Sequence, residues 1–333
     1  HFGPNATHCI FSHDSDVIIN GLHLHIPFLY VMRDWKNWMG PIENCGNGKL
    51  NELEASDFDF ELIHIPLLHQ YLSYDFPRCS DMNQLFDDLL ICTFLVGNDF
   101  IPSFPDISLH PGQFSTIFEA YSEVIFRKTH LVQNNKINFK ALRELILHFI
   151  SKDHKKQFQI QGQSYTFSNM EQCEDYISLK YPEVTDPEDL IDLKTKLAFA
   201  VLDSFVWTYQ YYTNLDCPSW SWAFPYNYAP PLFVVAYYCN FYQEKQFKID
   251  KVLNPIEQLV SILPPEKAHE LPEPFRPILH KLNEKNGQIT LDINGQKYEY
   301  QAIITLPHIE YSDFCTLFSK DIDSLLTEEE RRR

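Results

Sequence analysis

Two aspartates near the start of the chain, Asp14 and Asp16, have the residue type and spacing of metal ligands. They follow a short apolar stretch that is typical of a strand, and the two-residue period of a strand would send both carboxylates to the same side. Carboxylates so close repel each other unless a cation compensates their charge, and Mg²⁺ is a hard cation that favours oxygen ligands. The alternative is a structural pair, in which one aspartate caps a helix and the other belongs to a turn.

A third aspartate, Asp99, lies in the segment VGNDFIP at 96–102, directly after the most apolar predicted helix. Gly97 can end that helix in a left-handed conformation, which delivers Asp99 to the end of a buried element. The Asp99 carboxylate then either accepts hydrogen bonds from backbone N–H groups or reaches a metal. If Asp14, Asp16 and Asp99 converge on one cleft, their carboxylates could hold a catalytic metal.

Two tryptophans, Trp220 and Trp222, lie in an aromatic stretch at 217–231. Every nucleobase has a π-face, so these indole rings could stack on the bases of a single-stranded nucleic acid. The alternative is that both rings belong to the hydrophobic core. Four prolines in the stretch exclude a continuous helix, and we predict a packed, irregular segment.

The aspartate pair requires a strand, a turn and a helix in succession. Residues 7–22 supply an apolar stretch, a polar break and a second apolar run, and residues 27–35 form a second predicted strand. This is the α/β arrangement in which functional groups gather beyond the carboxyl ends of strands. Residues 39–57 are rich in Gly, Asn and Glu and predict a loop.

Most of the remaining chain has apolar residues at helical spacing. The predicted helices are 60–74, in which Pro66 must kink the helix or mark its first turn, 81–96 with Asp81 as N-cap, 140–150 and 190–212. Alternation around Asn294-Gly295 at 289–303 predicts a β-hairpin, and Thr327 with Glu330 predicts a capped final helix. The predicted fold class is therefore α/β at the N-terminus, continuing into a mainly α-helical domain with a small C-terminal β-hairpin element.

The composition limits the classes of function. The chain has 333 residues, with 27 basic against 45 acidic side chains and a formal net charge of −18. That balance disfavours a broad basic surface for gripping nucleic acid, while a local acidic pocket that holds metal remains compatible with it. No apolar run approaches the roughly 20 residues of a membrane helix, so no membrane partner is expected.

The cysteines and histidines do not indicate a zinc site. The eight cysteines are scattered without a C-x-x-C pair, which suits reduced thiols in a reducing, intracellular compartment better than disulfides. Four histidines have ligand-like spacing but lack a cysteine or acidic partner at a zinc-like interval. We predict packed or surface roles for them: His23, His25, His64 and His69.

Ordered motifs along nearly the whole chain resemble the Xrn family of 5′→3′ exoribonucleases. HCIFSHDSDVIINGL at 8–22 contains the aspartate pair, and DDLLICTFLVGNDFIPSFP at 87–105 contains Asp99. Further matching segments are FELIHIPLLHQYL at 60–72, KINFKAL at 136–142, SWSWAFPYNYAPP at 219–231, EQLVSILPPEKAHELPEPFRP at 257–277, LDINGQKYEYQAIITLP at 291–307 and LTEEERRR at the end.

The resemblance implies a Mg²⁺-dependent nuclease that removes nucleotides one at a time from single-stranded RNA bearing a 5′-monophosphate. In that family an acidic cluster carries two metal ions, which activate the attacking water and stabilise the leaving oxygen. Asp14 and Asp16 match the family's paired strand-end aspartates, and Asp99 matches the aspartate of the V-G-N-D-F motif. Residues 219–231 match the aromatic block that excludes duplex and holds the terminal nucleotide, which makes Trp220 and Trp222 the candidate substrate-binding residues.

The chain also departs from the family pattern. Asn227 stands where the family usually has histidine. The family's glutamate pair, its earlier aspartates and its basic phosphate pocket are expected in a front half that this sequence does not contain. The resemblance therefore predicts three regions: the rear of a nuclease domain at 1–40, a helical middle region at 41–213, and the family's second conserved block at 214–333.

Two functions remain open on this evidence. The first is part of an exoribonuclease, in the cytoplasm or nucleus, that is inactive without the remaining metal ligands and phosphate pocket. The alternative is a catalytically inactive paralogue that serves as a structural or interaction component of a larger assembly of proteins. The acidic balance and the missing front half motivate this alternative.

Overall fold

The structure, a computed structural model, describes residues 6–24, 26–34, 60–79, 81–107, 112–126, 129–153, 157–214, 216–286, 289–296, 301–305, 309–318 and 327–328. The chain forms two compact units, one of residues 1–93 with 121–141 and the other of 94–120 with 142–333. Asp14 and Asp16 belong to the first unit, and Asp99 belongs to the second together with both tryptophans. The three-part division drawn from the resemblance stays a prediction.

The first unit contains a mixed three-stranded sheet, with one helix between its first two strands and another after the third. Its elements are β1 (His8–Phe11), α1 (Asp16–His23), β2 (Leu29–Asp34), β3 (Phe60–His64) and α2 (Ile65–Asp75). β1 and β2 are parallel, and β3 is antiparallel to β2. Because parallel strands need a crossover connection, α1 lies between them in the chain and packs its apolar side chains on Leu29 and Val31. The α/β start predicted from the sequence is confirmed.

The segment predicted as a helix over 60–74 is part strand. Residues 60–64 pair with β2, with Ile63 opposite Val31 and Leu62 opposite Met32. Helix α2 begins at Ile65 with Pro66 in its first turn, where the missing N–H costs no helical hydrogen bond. The helix prediction was wrong for 60–64, because a strand partner distant in the sequence decided the structure there.

Helix α3 (Met82–Phe94) begins directly after Asp81, as predicted. The Asp81 carboxylate accepts hydrogen bonds from the backbone N–H groups of Asn83 at 3.0 Å and Gln84 at 3.2 Å. This satisfies two of the donors that a helix start leaves without an intrahelical partner.

The same helix carries Asp88, whose carboxylate is fully buried in the first unit. Asp88 accepts hydrogen bonds from the Tyr121 hydroxyl at 2.7 Å, from His130 Nδ1 at 2.8 Å and from the Val132 N–H at 2.8 Å. Gln84 Nε2 adds a fourth at 3.2 Å. The hydrogen bond to Asp88 raises the pKa of His130 above its usual value. Asp88 therefore ties α3 to two later segments of the chain.

Three helices contribute residues to both units, and two short strands lie between the last two of them. They are α3, α4 (Gln113–Phe126) and α5 (Phe139–Asp153), with β4 (Val132–Gln133) and β5 (Lys136–Ile137) between α4 and α5. Helix α5 confirms the helix predicted over 140–150.

The second unit is mainly helical. Its further elements are β6 (Phe158–Ile160), β7 (Gln163–Tyr165), α6 (Met170–Lys180), α7 (Pro187–Thr213), α8 (Leu232–Tyr238), α9 (Pro255–Ile262), α10 (Arg276–Asn286), β8 (Thr290–Asp292), β9 (Ile303–Thr305) and α11 (Tyr311–Thr316). Helix α7 has 27 residues and confirms the helix predicted over 190–212. It begins with Asp186 as N-cap and Pro187 in the first turn, and its buried Leu197 and Ala198 join one core with α6 and α8.

The predicted C-terminal hairpin is present. β8 and β9 are antiparallel, with Thr290 opposite Thr305 and Leu291 opposite Ile304. The φ angles of Asn294 and Gly295 are both positive, 48° and 77°, as a tight turn requires. The strands pair at a distance from this turn, so Asn294-Gly295 is not the two-residue loop of a simple hairpin.

Side chains near this turn anchor the hairpin on α6. The Lys180 ammonium donates to Asp292 at 2.5 Å and lies 4.7 Å from the ring centroid of Tyr228, whose hydroxyl donates to Asp292 at 2.8 Å. Partial burial acts to raise the pKa of Asp292, but the hydrogen bonds from Lys180 and Tyr228 outweigh it and lower the pKa. Asn294 Nδ2 donates to the buried Tyr176 hydroxyl at 3.0 Å. The hairpin therefore covers charged and polar groups of the helical core.

We expect Gly295→Ala to destabilise this anchor. An alanine Cβ at 295 would lie 2.7 Å from the Gln159 carbonyl oxygen and 2.8 Å from Ile160 Cγ1, at a φ that disfavours alanine. Left-handed backbone costs ~1–2 kcal/mol and the clash a further ~1–3 kcal/mol. Gly162→Ala is the matched control, because its φ is +81° and no atom lies within 4 Å of the new Cβ. Thermal unfolding should show the larger loss for Gly295→Ala, and equal losses would contradict the packing described.

Several sequence predictions fall wholly or partly outside the described residues. They are the loop at 39–57, His25, and the final helix after Thr327. Of the helices that the structure describes, none has the length and apolarity to cross a membrane. The described cysteines have free thiols, and burial raises the pKa values of Cys92 and Cys173, which suits packing rather than reactivity.

Candidate active-site cleft

The aspartate pair of the first unit occupies a turn and the start of a helix. β1 ends at Phe11, and Asp16 is the first residue of α1. Asp14 Oδ1 accepts the backbone N–H of Asp16 at 2.9 Å, and Asp14 is exposed while Asp16 is half-buried. The two-residue strand period expected for this pair was wrong, because the strand ends before either aspartate. The turn-and-helix-start arrangement is what the structure contains at these two positions.

Two of the four histidines with ligand-like spacing, His64 and His69, are packed, as predicted. His64 stacks on Tyr30 with ring centroids 4.6 Å apart, and His69 stacks on Phe86 at 4.1 Å. His69 Nε2 also lies 2.9 Å from the Leu22 carbonyl oxygen, and burial lowers the pKa of His69.

The loop that carries Asp99 is shaped by the two residues before it. Gly97 has φ +84°, and a Cβ there would lie 3.2 Å from the carbonyl oxygens of Ile101 and Pro102. Asn98 Oδ1 accepts the N–H groups of Phe100 and Ile101, each at 2.9 Å. The asparagine side chain therefore closes the turn, and Gly97 is the residue that allows the chain to enter it.

The Asp99 carboxylate is exposed beside this turn. Within the described chain it makes no hydrogen bond or ion pair, since Asn98 accepts the nearby backbone donors in its place. Of the two roles considered for Asp99, satisfaction by backbone N–H groups is therefore not what the structure contains. The carboxylate is available to a ligand.

Aromatic rings from three parts of the second unit pack next to this loop. The Phe100 ring centroid lies 5.0 Å from that of Trp207 and 5.3 Å from that of Tyr211, both on α7. Trp207 stacks on Trp222 with centroids 5.8 Å apart and ring planes 28° from parallel. Phe247 packs edge-on against Trp222, with ring centroids 5.5 Å apart.

Asp99 and Trp222 line the same cleft, which has a volume of about 290 Å³. Its walls are the loop of 98–102, Trp207, and the segment 222–224. The cleft thus combines one exposed carboxylate with the rings of Phe100, Trp207 and Trp222. Aromatic rings beside a carboxylate suit a ligand that has a flat, unsaturated ring for stacking and a second group that carries metal cations.

Trp220 has a different environment from Trp222. Its side chain is 44% exposed and is not among the residues that line the Asp99 cleft. The segment that carries both tryptophans is fixed by Asp250, which accepts the Trp220 N–H at 2.6 Å and the Ser219 hydroxyl at 2.9 Å. Partial burial acts to raise the pKa of Asp250, but hydrogen bonds from Ser221, Trp220 and Ser219 lower it below its usual value.

A second cleft in this unit, of about 740 Å³, is lined mainly by apolar and aromatic side chains. Asn227, the position at which the family pattern usually has histidine, lines this second cleft and not the one with Asp99. Phe224 borders both clefts.

Metal-binding side chains do not cluster among the described residues of either unit. Neither unit brings together three or more described His, Cys, Asp or Glu side chains that could hold a metal ion. Asp99 and Trp222 are brought together, and Asp14 lies next to Asp16. The sequence analysis missed Trp207, Phe247 and Asp250, because their roles depend on which segments meet in the fold.

Comparisons with known proteins agree with the motifs. The family model described as the Xrn1 helical domain matches residues 79–180 and 174–333. The 5′-3′ exoribonuclease 1 of Homo sapiens is 23% identical over 99% of this chain and 23% of its own length. The proteins of the same name from Saccharomyces cerevisiae and Schizosaccharomyces pombe are 20% and 22% identical, over 99% and 100% of this chain and 31% and 35% of their lengths.

The chain therefore spans between about a quarter and a third of the length of these curated relatives. The matched family model covers most of the chain, including the Asp99 loop, helix α7 and the tryptophan segment. On this evidence the chain belongs to the Xrn family of exoribonucleases, with most of its length in the Xrn1 helical domain.

Proposed function

We propose that this chain forms part of a Mg²⁺-dependent 5′→3′ exoribonuclease that acts on single-stranded RNA with a 5′-monophosphate. The observation that carries the proposal is the cleft that contains both Asp99 and Trp222. Support also comes from the relatives, whose names describe 5′-3′ exoribonucleases.

The aromatic wall of the cleft would hold a nucleobase. Trp222 is half-buried, is stacked on Trp207, which holds its ring in place, and lines the cleft. A rigid ring loses little conformational freedom on binding, and base stacking contributes ~1–3 kcal/mol per base. The volume lies near the lower limit of ligand pockets, about 300 Å³, which suits a single unpaired base better than a duplex.

Three carboxylates of the chain would contribute to magnesium binding: Asp14, Asp16 and Asp99. Their oxygen atoms are the hard ligands that Mg²⁺ prefers, but the described residues of neither unit complete a site. When bound, two ions would supply the activation of water and the stabilisation of the leaving oxygen that the family resemblance implies. Asp99 would place its negative charge near the phosphodiester group that adjoins a base stacked on Trp222.

This incomplete ligand set also gives an expectation for the chain alone. We infer that it binds Mg²⁺ weakly and hydrolyses no RNA without further metal ligands and a phosphate pocket. An intracellular location, nuclear or cytoplasmic, and protein assembly partners are further parts of the proposal. The acidic surface suits local rather than extended contact with RNA.

Replacing Trp222 tests the proposed cleft. We expect Trp222→Ala to lower the affinity of the chain for a short single-stranded RNA with a 5′-monophosphate by about five- to a hundredfold, from the loss of ~1–3 kcal/mol of stacking. Trp222→Phe keeps a ring and should retain most of the affinity. Trp220→Ala should have the smaller effect, because Trp220 does not line the cleft.

Fluorescence anisotropy with labelled RNA measures these affinities at a fixed salt concentration. Thermal unfolding of each variant shows whether the protein remains folded. A folded Trp222→Ala protein that binds RNA as tightly as the unchanged chain would refute the role of this cleft.

A further inference from the structure

The carboxylate of Asp250 binds consecutive donors on the segment that carries both tryptophans. Its Oδ1 accepts the Trp220 N–H at 2.6 Å, and its Oδ2 accepts the Ser219 hydroxyl at 2.9 Å and the Ser221 N–H at 3.2 Å. The Ser221 hydroxyl also donates to Oδ2. Two successive backbone N–H groups and two hydroxyls thus converge on one anion, which is the arrangement of a backbone anion nest.

A residue in the wall of the cleft also binds this segment. The indole Nε1 of Trp207 donates to the Ser219 carbonyl oxygen at 3.0 Å, and Ser219 is almost fully buried. Ser219 is therefore fixed at its hydroxyl by Asp250 and at its carbonyl by a wall of the cleft. A shift of this residue would be transmitted to Trp222, three residues along the chain.

Asp250 and Phe247 belong to one extended segment and act on the same target. Phe247 packs edge-on against Trp222, while Asp250 binds the three residues that precede it. The start of this segment is fixed independently, because Asp203 on α7 accepts hydrogen bonds from the Tyr242 hydroxyl at 2.6 Å and from Lys245 Nζ at 3.2 Å. The segment therefore has two carboxylate anchors, and only that of Asp250 touches the tryptophan segment.

We propose that Asp250 is a positioning residue of the cleft: it holds residues 219–221 in the turn that sets Trp222 against Trp207 and beside Asp99. Asp250 does not line the cleft and acts on a ligand only through the tryptophan. Its importance for RNA binding rests on the function proposed above, whereas its effect on the Trp207–Trp222 pair does not.

Asp250→Ala tests the positioning role, with Asp203→Ala as the matched control. Both variants remove a carboxylate that anchors the same segment, but only the first should disturb the tryptophan pair. We expect Asp250→Ala to lower the affinity of the chain for 5′-monophosphorylated single-stranded RNA by about tenfold, the size typical of losing an outer hydrogen-bond partner of a site. Asp203→Ala should change this affinity less than twofold.

A spectroscopic measurement separates positioning from general stability. Stacked indoles couple electronically, so the Trp207–Trp222 pair contributes an exciton signal to the circular dichroism spectrum, and the difference between the unchanged chain and Trp222→Phe isolates that signal. Asp250→Ala should lose the signal, and Asp203→Ala should keep it. Ser221→Ala, which removes one donor and keeps Asp250, should weaken it and serves if Asp250→Ala fails to fold.

The outcomes are distinct. Loss of both the exciton signal and RNA affinity in Asp250→Ala alone supports the proposal. An unchanged signal in folded Asp250→Ala and Ser221→Ala proteins overturns it. If the unchanged chain binds no RNA but Asp250→Ala still loses the signal, the proposed function fails while the positioning of Trp222 by Asp250 stands.

Discussion

In an active exoribonuclease that contains this chain, Asp99→Asn should reduce turnover by about two to three orders of magnitude, the loss typical of removing one preorganised electrostatic contact. Asparagine has nearly the same shape but lacks the charge that a magnesium ligand supplies. The fold should survive, because the exposed Asp99 carboxylate makes no hydrogen bond within the described chain and Asn98 holds the turn. We expect the free energy of unfolding to change by less than ~0.5 kcal/mol.

The measurement is turnover of 5′-monophosphorylated RNA together with thermal unfolding on the same preparation. Asp189→Asn is the matched control, since it removes the same charge from an exposed position in the first turn of α7. If the protein is instead an inactive paralogue with a structural role, it should show no turnover before mutation. An unchanged rate in a demonstrably active enzyme would remove Asp99 from the catalytic site.

The largest expected effect on stability is that of Asp88→Ala. The substitution leaves the buried donors of Tyr121 and Val132 without their acceptor, and it removes one partner each from His130 and Gln84. Breaking such a buried network costs ~3–5 kcal/mol, a large part of the ~5–15 kcal/mol that stabilises a typical domain. At ~2–4 °C per kcal/mol, the midpoint of thermal unfolding should fall by roughly 10 °C.

Asp87→Ala provides the comparison from the neighbouring position. The Asp87 carboxylate is 23% exposed and lies 2.6 Å from His23 Nδ1, so its removal should cost less than that of the fully buried Asp88 carboxylate with its four donors. In Asp88→Ala the pKa of His130 should also fall, because the hydrogen bond that raises it is gone. Nuclear magnetic resonance titration of His130 measures this. Equal melting temperatures for the two variants would contradict the described network.

Local signals in the sequence were sufficient for helices α3, α5 and α7 and for the turn at Asn294-Gly295. Asp81 and Asp186 are side chains that cap helices through nearby backbone groups, so their roles follow from a few residues of sequence. The strand at 60–64 was missed because its partner, β2, lies some thirty residues earlier in the chain. The hairpin was found, but its register was not, since strand pairing depends on contacts beyond the turn.

In the candidate site, too, local sequence identified single residues, whereas their grouping depended on distant contacts. Asp99 and Trp222 were selected from their segments, yet only the fold shows that they share a cleft and that Trp220 does not line it. Asn98, which looks interchangeable with Asp99 in the sequence, is the residue that closes the turn. Asp250 lies in no motif that the sequence analysis identified. Its role depends on an extended segment, about thirty residues after the tryptophans, that contacts them in the fold.

The anchoring of the hairpin on α6 has a consequence for the order of folding during synthesis. Lys180, whose side chain is 2% exposed, finds its carboxylate partner Asp292 only 112 residues later. At about 5–20 residues per second, a ribosome needs roughly 6–22 s to make that stretch. Until then the ammonium group lacks its counter-charge, and Tyr176 lacks Asn294. The core around α6 is therefore completed late, and a chaperone that recognises exposed aromatic surface has several seconds in which to bind the nascent chain.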